Sequence, residues 1–330
     1  MKNNRQSVDY YIKGILKGDK FILSKSITII ESSLPEDVDL SIKILNGISG
    51  KSGISKRIGI TGVPGVGKST FIEAFGGYLI SKGNKVAVLA IDPTSSKTGG
   101  SILGDKTRMN DLSRNENAFI RPSPANNTLG GVSDHTRENI LLCEAAGYDV
   151  IIVETVGVGQ SETLVRGMVD FFLLLMLPGA GDDLQGMKKG IMEMADGIVI
   201  NKADGDNIYS SNQAQLNYQS ALHLFSVSES GWIPRVITCS SVNKSGIKEV
   251  WEMILDHYRL LEGNGYLKKL RIAQNVDWFR GQISQELVNK IFENEAYVEL
   301  RKQLEHQVSS EVLNPKEALT ILFNKIFSRR

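Results

Sequence analysis

Short, dense apolar runs separated by polar and glycine-bearing segments punctuate the middle of the chain. They predict strands at Arg57 to Ile60, Val86 to Ile91, Phe119 to Arg121, Val150 to Glu154, Phe171 to Leu177, Gly197 to Asn201 and Arg235 to Thr238. Most of these runs are continuously apolar, the pattern of a strand buried on both faces. Helical or loop segments stand between them, so the expected core is a mostly parallel sheet flanked by helices. Val8 to Ile48 instead carries Ile12, Ile15, Leu16, Phe21, Leu23 and Ile27 at mixed helical spacing among polar residues, a helical lead-in that Gly47 to Lys56 links to the first strand. From Ile247 to Arg330 the pattern becomes charged amphipathic helix, with Val250, Trp251, Ile254, Leu255, Tyr258 and Leu261 on one stripe. The expected division is a helical N-terminal arm at 1–50, a central domain at 51–260 and a helical C-terminal extension at 261–330.

Composition narrows the class. A chain of 330 residues that is 41% hydrophobic can bury a large core. A formal net charge of +1 lacks the basic surplus of a nucleic-acid binder, and none is expected as a partner. Phe171 to Leu177, bounded by Asp170 and Pro178, is too short to cross a bilayer, so no membrane partner is expected either. Cys143 and Cys239 lie far apart without ligand spacing, and His135, His223, His257 and His306 are dispersed, which argues against a transition-metal site. The start, Met1-Lys2-Asn3-Asn4-Arg5, has no apolar signal core, and a cytoplasmic location is expected.

Two motifs carry the chemistry. Gly62-Val63-Pro64-Gly65-Val66-Gly67-Lys68-Ser69 fits G-x-x-x-x-G-K-[ST], with a strand before it and a helix, Ser69 to Ile80, after it. The glycines let backbone N–H groups wrap the phosphates of a nucleoside triphosphate, Lys68 neutralises the outer oxygens, and the Ser69 hydroxyl is a ligand for Mg²⁺. Asn201-Lys202-Ala203-Asp204 follows a later apolar run, and the Asp204 carboxylate suits the N1–H and 2-amino donors of guanine, a pair that adenine does not offer. GTP is therefore the expected substrate and GDP the product.

Other loops supply candidates around the phosphates. Glu154 ends an apolar strand, placed to hold Mg²⁺-bound water or the attacking water, and the N–H of Gly157 can approach the terminal phosphate. Asp92 and Asp105 flank a loop rich in Gly, Ser and Thr and are the two carboxylates near the metal; Asp92 is favoured because a sheet positions it, and Asp105 is equally readable as a helix cap. Arg108 is a candidate for charge stabilisation, and Lys188 or Lys189, in the glycine-dense Pro178 to Gly190, for contact with phosphates or a protein partner. Thr238-Cys239-Ser240-Ser241 is a weaker candidate for packing backbone N–H groups beside guanine O6, which marks Ser240 and Ser241.

The run Gly62 to Thr70, the loop from Asp92-Pro93 to Arg108, the segment Glu154-Thr155-Val156-Gly157-Val158-Gly159-Gln160-Ser161-Glu162 and the loop Pro178 to Gly190 together resemble the methylmalonyl-CoA mutase-associated GTPase chaperones, MeaB-type proteins also called arginine/ornithine transport ATPases. The resemblance covers about residues 50 to 260, with four loops agreeing in order. It implies an α/β P-loop NTPase of the signal-recognition and metal-insertion GTPase class with helical N- and C-terminal extensions, the latter for homodimerisation. It implies a phosphate loop at Gly62 through Thr70, Mg²⁺ and switch residues at Ser69, Asp92, Asp105 and Glu154, a base motif at Asn201, Lys202 and Asp204, and a partner-responsive switch containing Lys188. The implied partners are an adenosylcobalamin-dependent acyl-CoA mutase and an adenosyltransferase, with GTP hydrolysis gating cofactor delivery and protecting the mutase.

Rival readings make distinct demands. A metal-insertion GTPase wants a Cys/His cluster for its cargo, and none is visible. An ATP-dependent transport-associated ATPase or kinase leaves Asp204 with no guanine to read. A module that holds nucleotide without turnover would not need Glu154.

Overall fold

The computed structural model describes residues 5–51, 53, 55–92, 109–124, 135–155, 161–179, 189–223, 225 and 228–327. Its strands are β1 (Lys56–Gly62), β2 (Val86–Asp92), β3 (Ala118–Pro124), β4 (Val150–Thr155), β5 (Phe171–Met176), β6 (Gly197–Ile200) and β7 (Arg235–Thr238), seven among the described residues, in the order β3-β2-β4-β1-β5-β6-β7. Every pairing is parallel. β1, first in sequence, is central, so its carboxyl end opens between the ends of β4 and β5, where open α/β sheets bind ligands.

Side chains alternate across this sheet and sort into two cores. Ile58, Ile60, Val88, Ile152, Phe171 and Leu173 face one way, packing on Phe71 and Phe75 of α4 (Lys68–Ser81) and on Trp251, Ile254 and Tyr258 of α10 (Ile247–Gly263). Their neighbours Ala87, Leu89, Ile151, Val153 and Phe172 face the other way. There they meet Ile15, Leu23, Ile27 and Ile44 from α1 (Val8–Leu16), α2 (Lys20–Ile30) and α3 (Pro35–Ile48), and Ile140 and Cys143 from α6 (Thr136–Ala145). The helices of residues 1–50 thus share a core with the sheet. A third cluster joins β5 and β6 to α8 (Lys189–Met194) and α9 (Ile208–Leu222) through Ile191, Ile198 and Tyr218. Short α5 (Asn110–Arg114) and α7 (Ser161–Arg166) complete this part.

Two strands run two or more residues past their expected carboxyl ends, for clear reasons. β1 runs on to Gly62 because Thr61 and Gly62 stay in register with Leu174 and Leu175 of β5. β3 continues through Pro122 and Pro124, opposite Ala90 and Asp92, because an outermost strand tolerates residues without an N–H.

At the amino end of the strands, charges are buried in pairs. Glu144 of α6 accepts from Arg57 Nε (2.8 Å) and Nη2 (3.0 Å) and from the Ser55 hydroxyl (2.6 Å). Asp170, just before β5, accepts from the Arg57 N–H (2.9 Å), the Tyr258 hydroxyl (2.6 Å) and Arg271 Nε (2.8 Å). Each carboxylate has several donors, which is what makes its burial tolerable.

The chain divides into two units at Arg271/Ile272. The second unit holds the greater part of α11 (Tyr266–Glu293), with α12 (Glu295–Ser309) and α13 (Pro315–Phe327). It leaves Phe279, Leu287, Phe292 and Phe327 more than half exposed. Among the described residues no helix is long and apolar enough to cross a membrane.

Candidate nucleotide site

The loop between β1 and α4 is shaped by its glycines. Gly65 and Gly67 take φ of +80° and +91°, a left-handed conformation that side chains resist, and the Val66 N–H closes a turn on the Val63 carbonyl at 3.2 Å. At Gly62 the demand is space: a Cβ there would lie 2.5 Å from the Leu175 carbonyl oxygen. Gly67 caps α4 with no side chain in the way, so the first N–H groups of the helix point into the loop, the arrangement that binds phosphate. Pro64, Gly65 and Thr70 are exposed, whereas Val66 is buried and anchors the loop in the core.

Lys68 and Ser69 begin the helix. Lys68 Nζ folds back to the Gly62 carbonyl at 2.9 Å. Burial lowers its pKa, opposed by the carboxylates of Glu154 and Glu162, and a bound phosphate would act in the same sense as those carboxylates, favouring the charged form. The Ser69 hydroxyl faces Glu154 Oε1 at 3.4 Å, a long contact, and Glu154 is buried at the end of β4. A hydroxyl and a buried carboxylate converging at the phosphate loop form a hard oxygen donor set, which fits Mg²⁺.

The segment expected to read the base is built from side-chain contacts. Asn201 leaves β6 and donates Nδ2 to the Val66 carbonyl at 2.8 Å, while its Oδ1 accepts from the Ser241 hydroxyl at 2.8 Å. Lys202 takes φ of +60°, and its stem passes 3.9 Å from the position of a Cβ on Gly67. The Ser240 hydroxyl donates to Asp204 Oδ2 and accepts from the Asn243 N–H at 3.1 Å, which holds the carboxylate in place. The expected use of backbone N–H groups from this segment is corrected at two residues. Cys239 N–H bonds the Ile200 carbonyl at 2.8 Å as the ladder continues, and Ser240 N–H bonds the Ser245 carbonyl at 3.0 Å. The hydroxyls of Ser240 and Ser241 bond Asp204 and Asn201 respectively.

The structure thus brings together Gly62, Val63, Pro64, Gly65, Val66, Gly67, Lys68, Ser69 and Thr70 with Glu154 on one side, and links them through Asn201 to Lys202, Asp204, Ser240 and Ser241 on the other. Asp92 is the last residue of β2, one past Ile91, which is in register with Thr155 at the end of β4. Asp105, Arg108, Gly157 and Lys188 lie outside the described residues. Sequence reasoning did not find Glu162, whose charge acts on Lys68, nor a hydroxyl pair between Thr61 and Thr155. Neither has a spacing signature. Among the described residues no group of His, Cys, Asp and Glu stands ready to hold a metal cargo, and both cysteines are free and buried.

Comparison with known proteins agrees with this geometry. The profile of the family described as methylmalonyl Co-A mutase-associated GTPase MeaB matches residues 23–296. The GTPase ArgK of Escherichia coli K12 is 50% identical over 316 residues, covering 96% of each chain. The mitochondrial methylmalonic aciduria type A homolog of Mus musculus is 41% identical over 333 residues, covering 98% of this chain and 80% of its own. Among solved structures, a LAO/AO transport system kinase superposes with a TM-score of 0.78 at 43% identity, covering 99% of both chains.

Proposed function

The chain belongs to the methylmalonyl Co-A mutase-associated GTPase family MeaB and is a GTPase, and on that premise we propose that it is a chaperone of an adenosylcobalamin-dependent acyl-CoA mutase. In this reading GTP binding and hydrolysis gate delivery of the cofactor from an adenosyltransferase and protect the mutase, with methylmalonyl-CoA mutase the first candidate client. The observation that carries the nucleotide part is the bond from Asn201 to Val66, which joins the phosphate loop to the segment holding Asp204. One side chain thus ties together the two segments that GTP would meet with its phosphates and with its base. The mouse relative bears a name from methylmalonic aciduria, which supports the choice of client.

For hydrolysis, the loop N–H groups and Lys68 would meet the charge that builds on the transferred phosphoryl group. Ser69 and Glu154 are the residues that would hold Mg²⁺, with Asp92 or Asp105 as further oxygen donors; the ion supplies charge neutralisation at the phosphates when bound. Glu154 would orient the attacking water, and Gly157 would contact the terminal phosphate. Asp204, fixed by Ser240, would select guanine over adenine by accepting from both its donors. The exposed apolar side chains of the C-terminal unit, Phe279 and Leu287 among them, support a homodimerisation role for the extension at 261–330.

The test is co-purification of the tagged protein with the cell's cobalamin-dependent mutases in GTP, GDP and nucleotide-free buffer. Nucleotide-dependent recovery of a mutase is the expected result. GTP turnover that no cobalamin-dependent mutase alters, with none recovered, would refute the chaperone reading and leave the GTPase intact.

A further inference from the structure

Two buried hydroxyls beside the phosphate loop play no part in the scheme above. The Thr155 hydroxyl donates to Thr61 Oγ1 at 2.8 Å, and both residues are 0% exposed. Valine has nearly the shape of threonine, and the surrounding strands are lined with Ile151, Val153 and Phe172. An apolar pair would fill this space without the desolvation cost of two hydroxyls, so packing alone does not account for the threonines.

Their placement gives an account. Thr61 precedes Gly62, whose carbonyl receives Lys68 Nζ, and Thr155 follows Glu154, whose carboxylate faces Ser69. β1 and β4 set Ile60 opposite Glu154, and the hydroxyl bond ties the next residue on each strand. Because side chains alternate, the bond lies on the face away from α4, behind the carboxylate. It links the two strand ends that present Lys68, Ser69 and Glu154 to the same phosphates.

We propose that the Thr61–Thr155 bond is a positioning device for hydrolysis, fixing Glu154 in height against Lys68 and Ser69. Neither threonine touches nucleotide. The inference rests on the reading of Glu154 as a member of the phosphate site.

The experiment compares Thr155→Val, Thr61→Val, the double variant and Thr155→Ser, reading kcat, KM for GTP, the Mg²⁺ concentration for half-maximal rate, affinity for a fluorescent GDP and thermal midpoint. Thr155→Val should lower kcat by about five- to tenfold, the worth of one hydrogen bond, and raise the Mg²⁺ requirement, with KM and GDP affinity within about twofold of the parent. The double variant should be no slower than either single one, and Thr155→Ser should recover the rate. Wild-type kcat in Thr155→Val, or losses that multiply in the double variant, would overturn the positioning role. Glu154→Gln in the same assays separates the two layers. If it is slow while Thr155→Val is normal, only the threonine pair fails; if it turns over normally, the placement of Glu154 fails and the pair with it.

Discussion

Asn201 donates to the Val66 carbonyl across 2.8 Å, so the residue that opens the proposed base-reading segment also holds the phosphate loop. A buried carbonyl left without that donor costs about 1–3 kcal/mol. Asn201→Ala is therefore expected to weaken GTP and GDP alike and to lower the thermal midpoint of the nucleotide-free protein. Calorimetry on the apo variant checks this, and an unchanged apo midpoint would show that the bond does not brace the loop.

Asp204 differs in kind. Its carboxylate is fixed by Ser240, but its proposed work is discrimination, so Asp204→Asn should leave the apo midpoint near that of the parent. Loss of a charged hydrogen-bond acceptor predicts GTP affinity lower by about 1.5–3 kcal/mol, roughly ten- to a hundredfold. An amide that both donates and accepts matches a base with a carbonyl at position 2, so the variant should gain relative affinity for xanthosine triphosphate. Competition titrations with GTP, XTP and ATP measure the change.

Gly62→Ala places a methyl group 2.5 Å from a main-chain oxygen, Leu175 O, which cannot turn aside as a side chain would. Overpacking of this sort costs about 1–3 kcal/mol. Because β5 and the phosphate loop meet there, stability and GDP affinity should fall together. The denaturant midpoint and a GDP titration on one preparation give both numbers.

A pH response should reside in Asp196 and His257, 4.0 Å apart at the foot of β6. Burial pushes the Asp196 carboxyl up from 3.8 to about 6, against its bonds from Arg166 and the Phe172 N–H. Burial likewise pushes His257 down from 6.5 to about 4, inside a ring of Phe171, Trp232 and Tyr258. For His257 the folded form resists a proton that the unfolded chain accepts, so its contribution is complete above pH 6.5 and is lost on acidification towards 4. Asp196 runs the other way: its contribution is present below 3.8 and is lost as pH rises through about 6. The two largely cancel. His257→Phe removes only the first, so relative to the parent the variant should gain about 1–2 kcal/mol between pH 7.5 and 5. Urea unfolding at both pH values tests the sign; an equal offset at both would discount the burial of His257.

The outermost strand β7 has its backbone covered by α9: Gln215 Nε2 donates to the Val236 carbonyl at 2.8 Å, and Gln219 Oε1 accepts the Val236 N–H at 3.1 Å. An open strand edge recruits other strands. The double change of Gln215 and Gln219 to Ala should therefore lower the onset temperature of aggregation more than that of GTPase loss, with light scattering and activity followed on one heating ramp.

Much of this architecture was legible because each strand announces itself locally. Phe171 to Leu177 reads as a buried run and lies in the sheet interior as Phe171–Met176, and Val86 to Ile91 is the body of β2. The phosphate loop was legible for a related reason, since its chemistry is compressed into consecutive residues. What escaped depends on which strands become neighbours. Thr61 and Thr155 meet only because β4 docks beside β1, and Ser240 reaches Asp204 only because β7 lies beside β6. A hydroxyl far along the chain carries no mark of the partner that topology will give it.

Arg57 is gripped at the amino end of β1 by Glu144 through its guanidinium and by Asp170 through its own N–H. A strand bolted at its root by paired charges cannot slide along its neighbours without baring them. Whatever differs between the triphosphate and diphosphate states, the strands themselves would then serve as a fixed bench beneath the nucleotide.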